Sequence, residues 1–311
     1  MTTKILCLAT LLLCPWIALA DSFSIQTIDI PGATGFTPHA INDSGEIVGA
    51  YGDASGFHTF LYSNGTFNNI EAPGATTTEV TGINNAGQLV GYYNTSTVFQ
   101  GFVDSNGTFL PVTDPSAFDA APTAISNSGE IVGQIVLAGP GEHGFTDIGG
   151  QFSTLDYPGA LNTNPTGVNA SGQIVGYYFN GGLTLNHGFL DSGGQLSPFE
   201  VPGADETIPY AINDSGEIVG FYFMNDQDYS FVYSNGTFSP FAVPGALATI
   251  AYGVNDLGQI MGLETDANGV NHIFVATPEA AAPEPSLAGV VLLFGVGFAI
   301  LKFFDSSKQR R

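Results

Sequence analysis

Ile41-Asn42-Asp43-Ser44-Gly45-Glu46-Ile47-Val48-Gly49 returns in recognisable form at residues 83–91, 125–133, 168–176, 212–220 and 254–262. Six copies spaced 42 to 44 residues apart mark one supersecondary unit stacked on copies of itself. Each copy reads as the end of one strand, a tight turn whose Gly tolerates positive φ, and a return strand rich in β-branched residues. Downstream, residues 58–62 alternate large apolar side chains, and Ser63-Asn64-Gly65 turns them into a fourth strand at residues 66–70. Asn-Gly between two β-rich runs is a strong hairpin signal, because both residues accept positive φ. Four short antiparallel strands per unit predict a propeller blade, and six units predict an all-β, six-bladed β-propeller over residues 21–277.

The spacing also locates the variable side of the ring. From the third-strand Phe to the next turn Gly is always 27 residues, as in Phe60 to Gly87 and Phe231 to Gly258. The second-to-third-strand segment changes length instead: Gly49 to Phe60 spans 11 residues, Gly133 to Phe145 spans 12 and Gly176 to Phe189 spans 13. That loop and the one leading into the next blade emerge at the same end of a propeller, so function is expected there. The last copy stops after its third strand at Phe274-Val275-Ala276, while residues 25–33 align without gaps on 67–75. The N-terminal strand is therefore predicted to lie beside residues 272–276 and close the ring; the alternative is an open solenoid with exposed edges.

The charge is one-sided. All five Lys and Arg residues lie at the two ends, and of 28 Asp and Glu residues only Glu284 and Asp305 fall outside residues 21–282, which leaves 26 carboxylates and a formal charge of −26 in a body without a single Lys or Arg. Such a surface repels nucleic acid and anionic lipid. It also excludes Schiff-base chemistry and arginine clamps on phosphate. Both cysteines, Cys7 and Cys14, and the one Trp, Trp16, precede residue 20, so the body has no thiol and no disulfide.

The ends read as address labels. Lys4, the apolar stretch at residues 5–13 and Ala18-Leu19-Ala20 give a signal peptide over residues 1–20. Residues 287–304 form an apolar run ending in Lys302 and two Phe, followed by a basic tail at residues 305–311, which predicts a transmembrane helix with a cytoplasmic C-terminus. Residues 278–286 are a linker carrying Pro283-Glu284-Pro285. The tripeptide, apolar segment and basic tail in this order resemble the PEP-CTERM sorting signal. That resemblance implies an exosortase-like enzyme as partner and release to the cell surface or extracellular matrix. Phe57-His58-Thr59-Phe60-Leu61-Tyr62-Ser63-Asn64-Gly65 and Gly82-Ile83-Asn84-Asn85-Ala86-Gly87 are similar to the bacterial HAF extracellular repeat, a family that implies export and supplies no established chemistry.

Candidate sites are few. His58, His143, His187 and His272 recur at one place in four units, and a residue repeated in most copies performs the same packing task in each; His39 stands outside that set. The Asn-Asp-Ser-Gly turns at Asn42 and Asn213 suit either a hairpin or a hard cation, and the hairpin also explains the copies that lack the carboxylate. Glu264, Asp266 and Asn268 in the sixth unit partly match a calcium loop, with Asp226 and Asp228 in the neighbouring unit's loop. Calcium is the one cofactor the sequence leaves open, and none is required. Tyr51, Tyr93, Tyr178 and Tyr222 recur at the end of the second strand beside the variable loops and could stack on sugar rings. The reading is an exported, non-catalytic surface or matrix repeat protein, anchored transiently in the inner membrane. The alternatives are a calcium-assisted module binding extracellular polysaccharide and a glycan-cleaving enzyme.

Overall fold

The computed structural model describes residues 23–279 apart from 97, 183 and 184, and its strands group into six four-stranded sheets. In chain order β1 (Phe23–Ile28) comes first, standing apart from the sheet that follows it. Blade 1 comprises β2 (Gly35–Ile41), β3 (Ile47–Asp53), β4 (Gly56–Ser63) and β5 (Thr66–Asn69). Blade 2 holds β6 (Thr77–Ile83), β7 (Leu89–Asn94), β8 (Phe99–Ser105) and β9 (Thr108–Val112). Blade 3 holds β10 (Asp119–Ile125), β11 (Ile131–Val136), β12 (His143–Ile148) and β13 (Gln151–Leu155). Blade 4 is β14 (Asn162–Val168), β15 (Ile174–Phe179), β16 (His187–Asp191) and β17 (Leu196–Pro198). Blade 5 is β18 (Glu206–Ile212), β19 (Ile218–Met224), β20 (Gln227–Ser234) and β21 (Thr237–Phe241). Blade 6 has β22 (Ala248–Val254), β23 (Ile260–Thr265) and β24 (Asn271–Pro278), and its fourth strand is β1, in the order β1-β24-β23-β22. The ring is closed by the N-terminal strand, as the aligned ends predict, and residues 24–277 form one unit.

The repeated Gly and Phe explain each blade's interior. Gly49 pairs with Phe60 across β3 and β4, and a Cβ on Gly49 would press on the Thr37 carbonyl and come within 2.9 Å of the Phe60 ring. Only hydrogen leaves room for the ring, which explains why the pair recurs. Phe60, Phe102, Phe145, Phe189, Phe231 and Phe274 are all fully buried, each worth about 1.5–3 kcal/mol of burial. The adjacent position holds the blades together: Val48 packs into blade 2 against Val80, Leu89 and Phe102, Val90 into blade 3 against Ile131 and Phe145, and Met261 into blade 1 against Ile41, Ile47 and Phe60. Ile28 and Ile30 complete that last cluster, so the seam between blades 6 and 1 has its own hydrophobic core.

The quoted turn is a second fastening. Asn42 Oδ1 accepts the backbone N–H of Ser44 and Glu46, which caps the turn, while its Nδ2 donates to the Asn84 carbonyl of the next blade. Asn84, Asn169, Asn213 and Asn255 repeat this, and Asn255 reaches the Asn42 carbonyl across the seam. The following residue forms a belt around the axis. The N–H of Asp43 donates to Asn85 Oδ1, that of Asn85 to Asn127, that of Ala170 to Asp214, that of Asp214 to Asp256, and that of Asp256 back to Asp43. Free oxygens of the three Asp side chains take the Nδ2 groups of Asn85 and Asn127. The hairpin reading of these turns thus extends to an arc of hydrogen bonds that fastens neighbouring blades, interrupted between blades 3 and 4, where Ser126 and Ala170 lack the amide and the acceptor, and bridged there by Asn127 Nδ2 to Asp214.

No helix among the described residues is long and apolar enough to cross a membrane. The predicted signal peptide, the Pro283-Glu284-Pro285 motif, the apolar run 287–304 and the basic tail lie outside the described residues.

Candidate functional site

Each innermost strand carries a β-bulge at the same point: the register shifts between Pro38 and Ala40, Val80 and Gly82, Pro122 and Ala124, Pro165 and Gly167, Pro209 and Ala211, and Ala251 and Gly253. The extra residue is His39, Thr81, Thr123, Thr166, Tyr210 or Tyr252, and a bulge re-aims such a side chain out of the pleat. Five of the six line the central channel, which narrows to a cavity of about 80 Å³. The three Thr hydroxyls donate to the carbonyls of Pro122, Pro165 and Pro209 in the next blade. His39 does the same through Nδ1, 2.8 Å from the Val80 carbonyl, so that nitrogen carries a proton. Its other nitrogen, Nε2, lies 3.9 Å from Glu79 Oε1, and Glu79 Oε2 accepts the Tyr92 hydroxyl at 2.6 Å. Burial, then Glu79, pushes the Tyr92 phenol above its ordinary range.

Positions that agree across the six units are core, whereas positions that differ cluster at the channel mouth on the variable face. Thr37, Glu79, Ala121, Asn164, Ile208 and Ile250 share one place in the innermost strands, opposite Ala50, Tyr92, Gln134, Tyr177, Phe221 and Leu263 in the second strands. Within one chain, divergence at a shared position is the mark of a task not shared by all blades. The largest cavity among those described, about 370 Å³, opens there and is lined by Tyr92 and Phe99 of blade 2 and by Asp119, Gln134 and Glu142 of blade 3. Tyr92 and Phe99 stack with centroids 5.0 Å apart. Phe118, beside Asp119 in the chain, is 77% exposed, and Val98, beside Phe99, is also exposed. In the adjoining blade, burial and then the charges of Glu142 and Glu206 raise the Tyr177 phenol. Glu206 in turn accepts Asn186 Nδ2 at 2.6 Å. Beyond it, burial raises the Tyr210 phenol, with Tyr252, Tyr177, Glu206 and Asp228 adding to the effect.

No protein-family model and no curated protein match the chain. Among solved structures, an inactive variant of virginiamycin B lyase from Staphylococcus aureus, solved with quinupristin, is similar at 11% identity and a TM-score of 0.49, covering 83% of this chain and 100% of that one. The propeller domain of the Trilobed protease from Pyrococcus furiosus is similar at 11% identity and a TM-score of 0.47, covering 82% and 99%. A prolyl endopeptidase reaches 13% identity and a TM-score of 0.49 over 84% of this chain and 43% of its own. At such values the propeller assignment rests on this chain's own sheet order, and none of those activities transfers to it.

The residues singled out from sequence fall elsewhere. Tyr51, Tyr93, Tyr178 and Tyr222 lie one residue from the channel-facing set and therefore on the opposite side of the sheet. Tyr51 stacks on His58 and donates to Asn69, Tyr93 meets Phe102, Tyr178 is buried between Tyr157 and His187, and Tyr222 stacks on Tyr229. The recurring His residues tie strands to the connections that follow: His143 to Asp156 at 3.0 Å, His187 to Glu200 at 2.8 Å and His272 to Asp29 at 2.6 Å. His58 instead meets Asp53, whose carboxyl is held down to about 2 by hydrogen bonds from Ser55 and then His58.

In the loop of blade 6, Asp266 Oδ1 accepts the N–H groups of Asn268 and Val270, and its Oδ2 accepts Asn268 Nδ2. The carboxylate closes its own turn, and those bonds, from Val270 first and then Asn268, lower its pKa. Glu264 accepts the Thr27 hydroxyl at 3.4 Å, and Asn225 and Asp226 are the positive-φ pair of a hairpin turn. Asp228 pairs with Phe223 across β19 and β20. Among the described residues no group of three or more His, Cys, Asp or Glu side chains is placed to hold a metal ion. Sequence reasoning missed Glu79, Tyr92, Phe99, Asp119 and Glu142, although the variation of their positions from blade to blade was the available signal.

Proposed function

We propose that this chain is an exported, non-catalytic surface or matrix protein that holds extracellular polysaccharide at the channel mouth of a HAF-like propeller. In this reading the N-terminal signal exports it, residues 287–304 hold it transiently in the inner membrane, and an exosortase-like enzyme sorts it at Pro283-Glu284-Pro285. The observation that carries the binding role is the cavity of about 370 Å³ with its Tyr92 and Phe99 walls and Asp119, Gln134 and Glu142 around them. Aromatic faces match the apolar faces of a sugar ring, and carboxylate and amide groups take its hydroxyls.

The test is affinity electrophoresis of the purified protein through gels containing the producing cell's own polysaccharide. The native protein should be retarded, and Tyr92→Ala or Phe99→Ala should restore much of its mobility, since one stacked ring contributes on the order of 0.5–1.5 kcal/mol. Unchanged retardation in both variants, or depolymerisation of the gel polysaccharide by the pure protein, overturns the reading.

A further inference from the structure

We infer that the groove of blades 2 and 3 selects sugars bearing a free, protonated amine; this rests on the glycan reading above and specifies its substrate class. Besides the Tyr92 and Phe99 rings, the Gln134 amide, the Thr81 and Thr123 hydroxyls and the small apolar Ala121 and Val136, the lining is carboxylate. Asp119 and Glu142 line the cavity itself, and Glu79 stands behind Tyr92 through a 2.6 Å hydrogen bond. In an ordinary protein Lys or Arg would neutralise such a set, yet residues 21–282 contain neither. His39 faces Glu79 at 3.9 Å and His143 is bound to Asp156, so among the described residues no side-chain cation pairs with Asp119 or Glu142. A cation carried by the ligand would find both carboxylates open.

Chemistry narrows that cation. Uronates, sulfated sugars and phosphate-bearing polymers are repelled by the carboxylates and by the charge of the whole body. A neutral sugar can donate hydroxyls to Asp119 and Glu142 but leaves their charge uncompensated. An ammonium on the sugar ring satisfies one carboxylate directly. The Tyr92 and Phe99 rings that line the cavity favour the same charge through their quadrupoles. Stacking and ion pairing then act on one ring at once, which a small inorganic cation cannot reproduce.

The experiment compares three tetrasaccharides on the purified protein by calorimetry at a pH of about 6, where a sugar amine is protonated: glucosamine, N-acetylglucosamine and glucose oligomers. The glucosamine tetramer should bind at least about tenfold more tightly than the other two, and the advantage should shrink as NaCl rises from about 20 to about 300 mM. Glu142→Gln should remove about five- to tenfold of the glucosamine affinity and leave the glucose tetramer unchanged. Glu71→Gln, an exposed carboxylate in the β5–β6 connection, should change neither. Equal binding of all three oligomers overturns the amine selectivity while sustaining the glycan role. Spermine binding as tightly as the glucosamine tetramer, or equal losses in Glu142→Gln and Glu71→Gln, reduces the effect to counterion attraction and overturns it too. Failure of all three oligomers to bind overturns both readings.

Discussion

Ring closure can be tested at a single side chain, Ile28. It is 7% exposed and packs in the cluster formed by Ile47 and Phe60 of blade 1 with Met261 and Ile273 of blade 6. Ile28→Ala removes three buried carbons, a transfer loss of about 2.4 kcal/mol at about 0.8 kcal/mol each. A cavity in a seam whose neighbours are strands relaxes only partly, which brings the expected cost to about 3–4 kcal/mol. With a urea m-value of about 3 kcal/mol/M, the unfolding midpoint should fall by about 1 M, with the slope unchanged. Leu155→Ala, at the equivalent place in blade 3 and 9% exposed, provides the internal standard for a fourth strand that nobody would doubt is part of its blade. The assay is equilibrium urea unfolding followed by tyrosine fluorescence and far-UV circular dichroism. A shift for Ile28→Ala below a third of that for Leu155→Ala would refute the idea that β1 completes blade 6 in solution.

Two further outcomes concern charge. His272 is pushed above its ordinary pKa, first by its hydrogen bond to Asp29 and then by the charges of Asp29, Asp266 and Glu264, so its contribution is full below the unfolded-state value and lost as pH rises through the folded-state value. His272→Gln should therefore abolish a decline in stability between pH about 6 and 8, a decline of less than about 1 kcal/mol because the pair is exposed, as thermal melts across that range would record. At the other end of the channel, burial and then the neighbouring Asp214 and Asp43 charges raise the Asp256 carboxyl, so this group favours the folded state at low pH and opposes it once ionised. Asp214→Asn keeps the acceptor for the Ala170 N–H, loses the oxygen that takes Asn127 Nδ2 and removes one like charge; the lost bond costs the same at every pH, so the variant should compare with the native protein about 0.5 kcal/mol more favourably at pH about 7 than near pH 3, and the absence of that difference would contradict the repulsion.

The sequence by itself determined the blade, the number of blades and the way the ring closes. These are consequences of local rules: Gly45 and its copies permit the turn, Asn64-Gly65 the hairpin, and Gly49 the ring of Phe60, each within one unit. The aligned ends at residues 25–33 and 67–75 carried the closure because a strand without a blade and a blade without a strand have one economical pairing. The reading of the two ends as address labels rests on composition alone and falls outside the described residues. What only the tertiary structure decided is which side chains reach the channel. Strand side chains alternate with a period of two, so a shift of one residue exchanges core for surface. Tyr93 therefore packs on Phe102 while Tyr92 faces the groove. The bulge at His39 and its equivalents adds one more residue to that count, and no local pattern fixes its place. The groove itself joins Tyr92 and Phe99 to Asp119 and Glu142, side chains of two blades brought together by the curvature of the ring, which no single repeat contains.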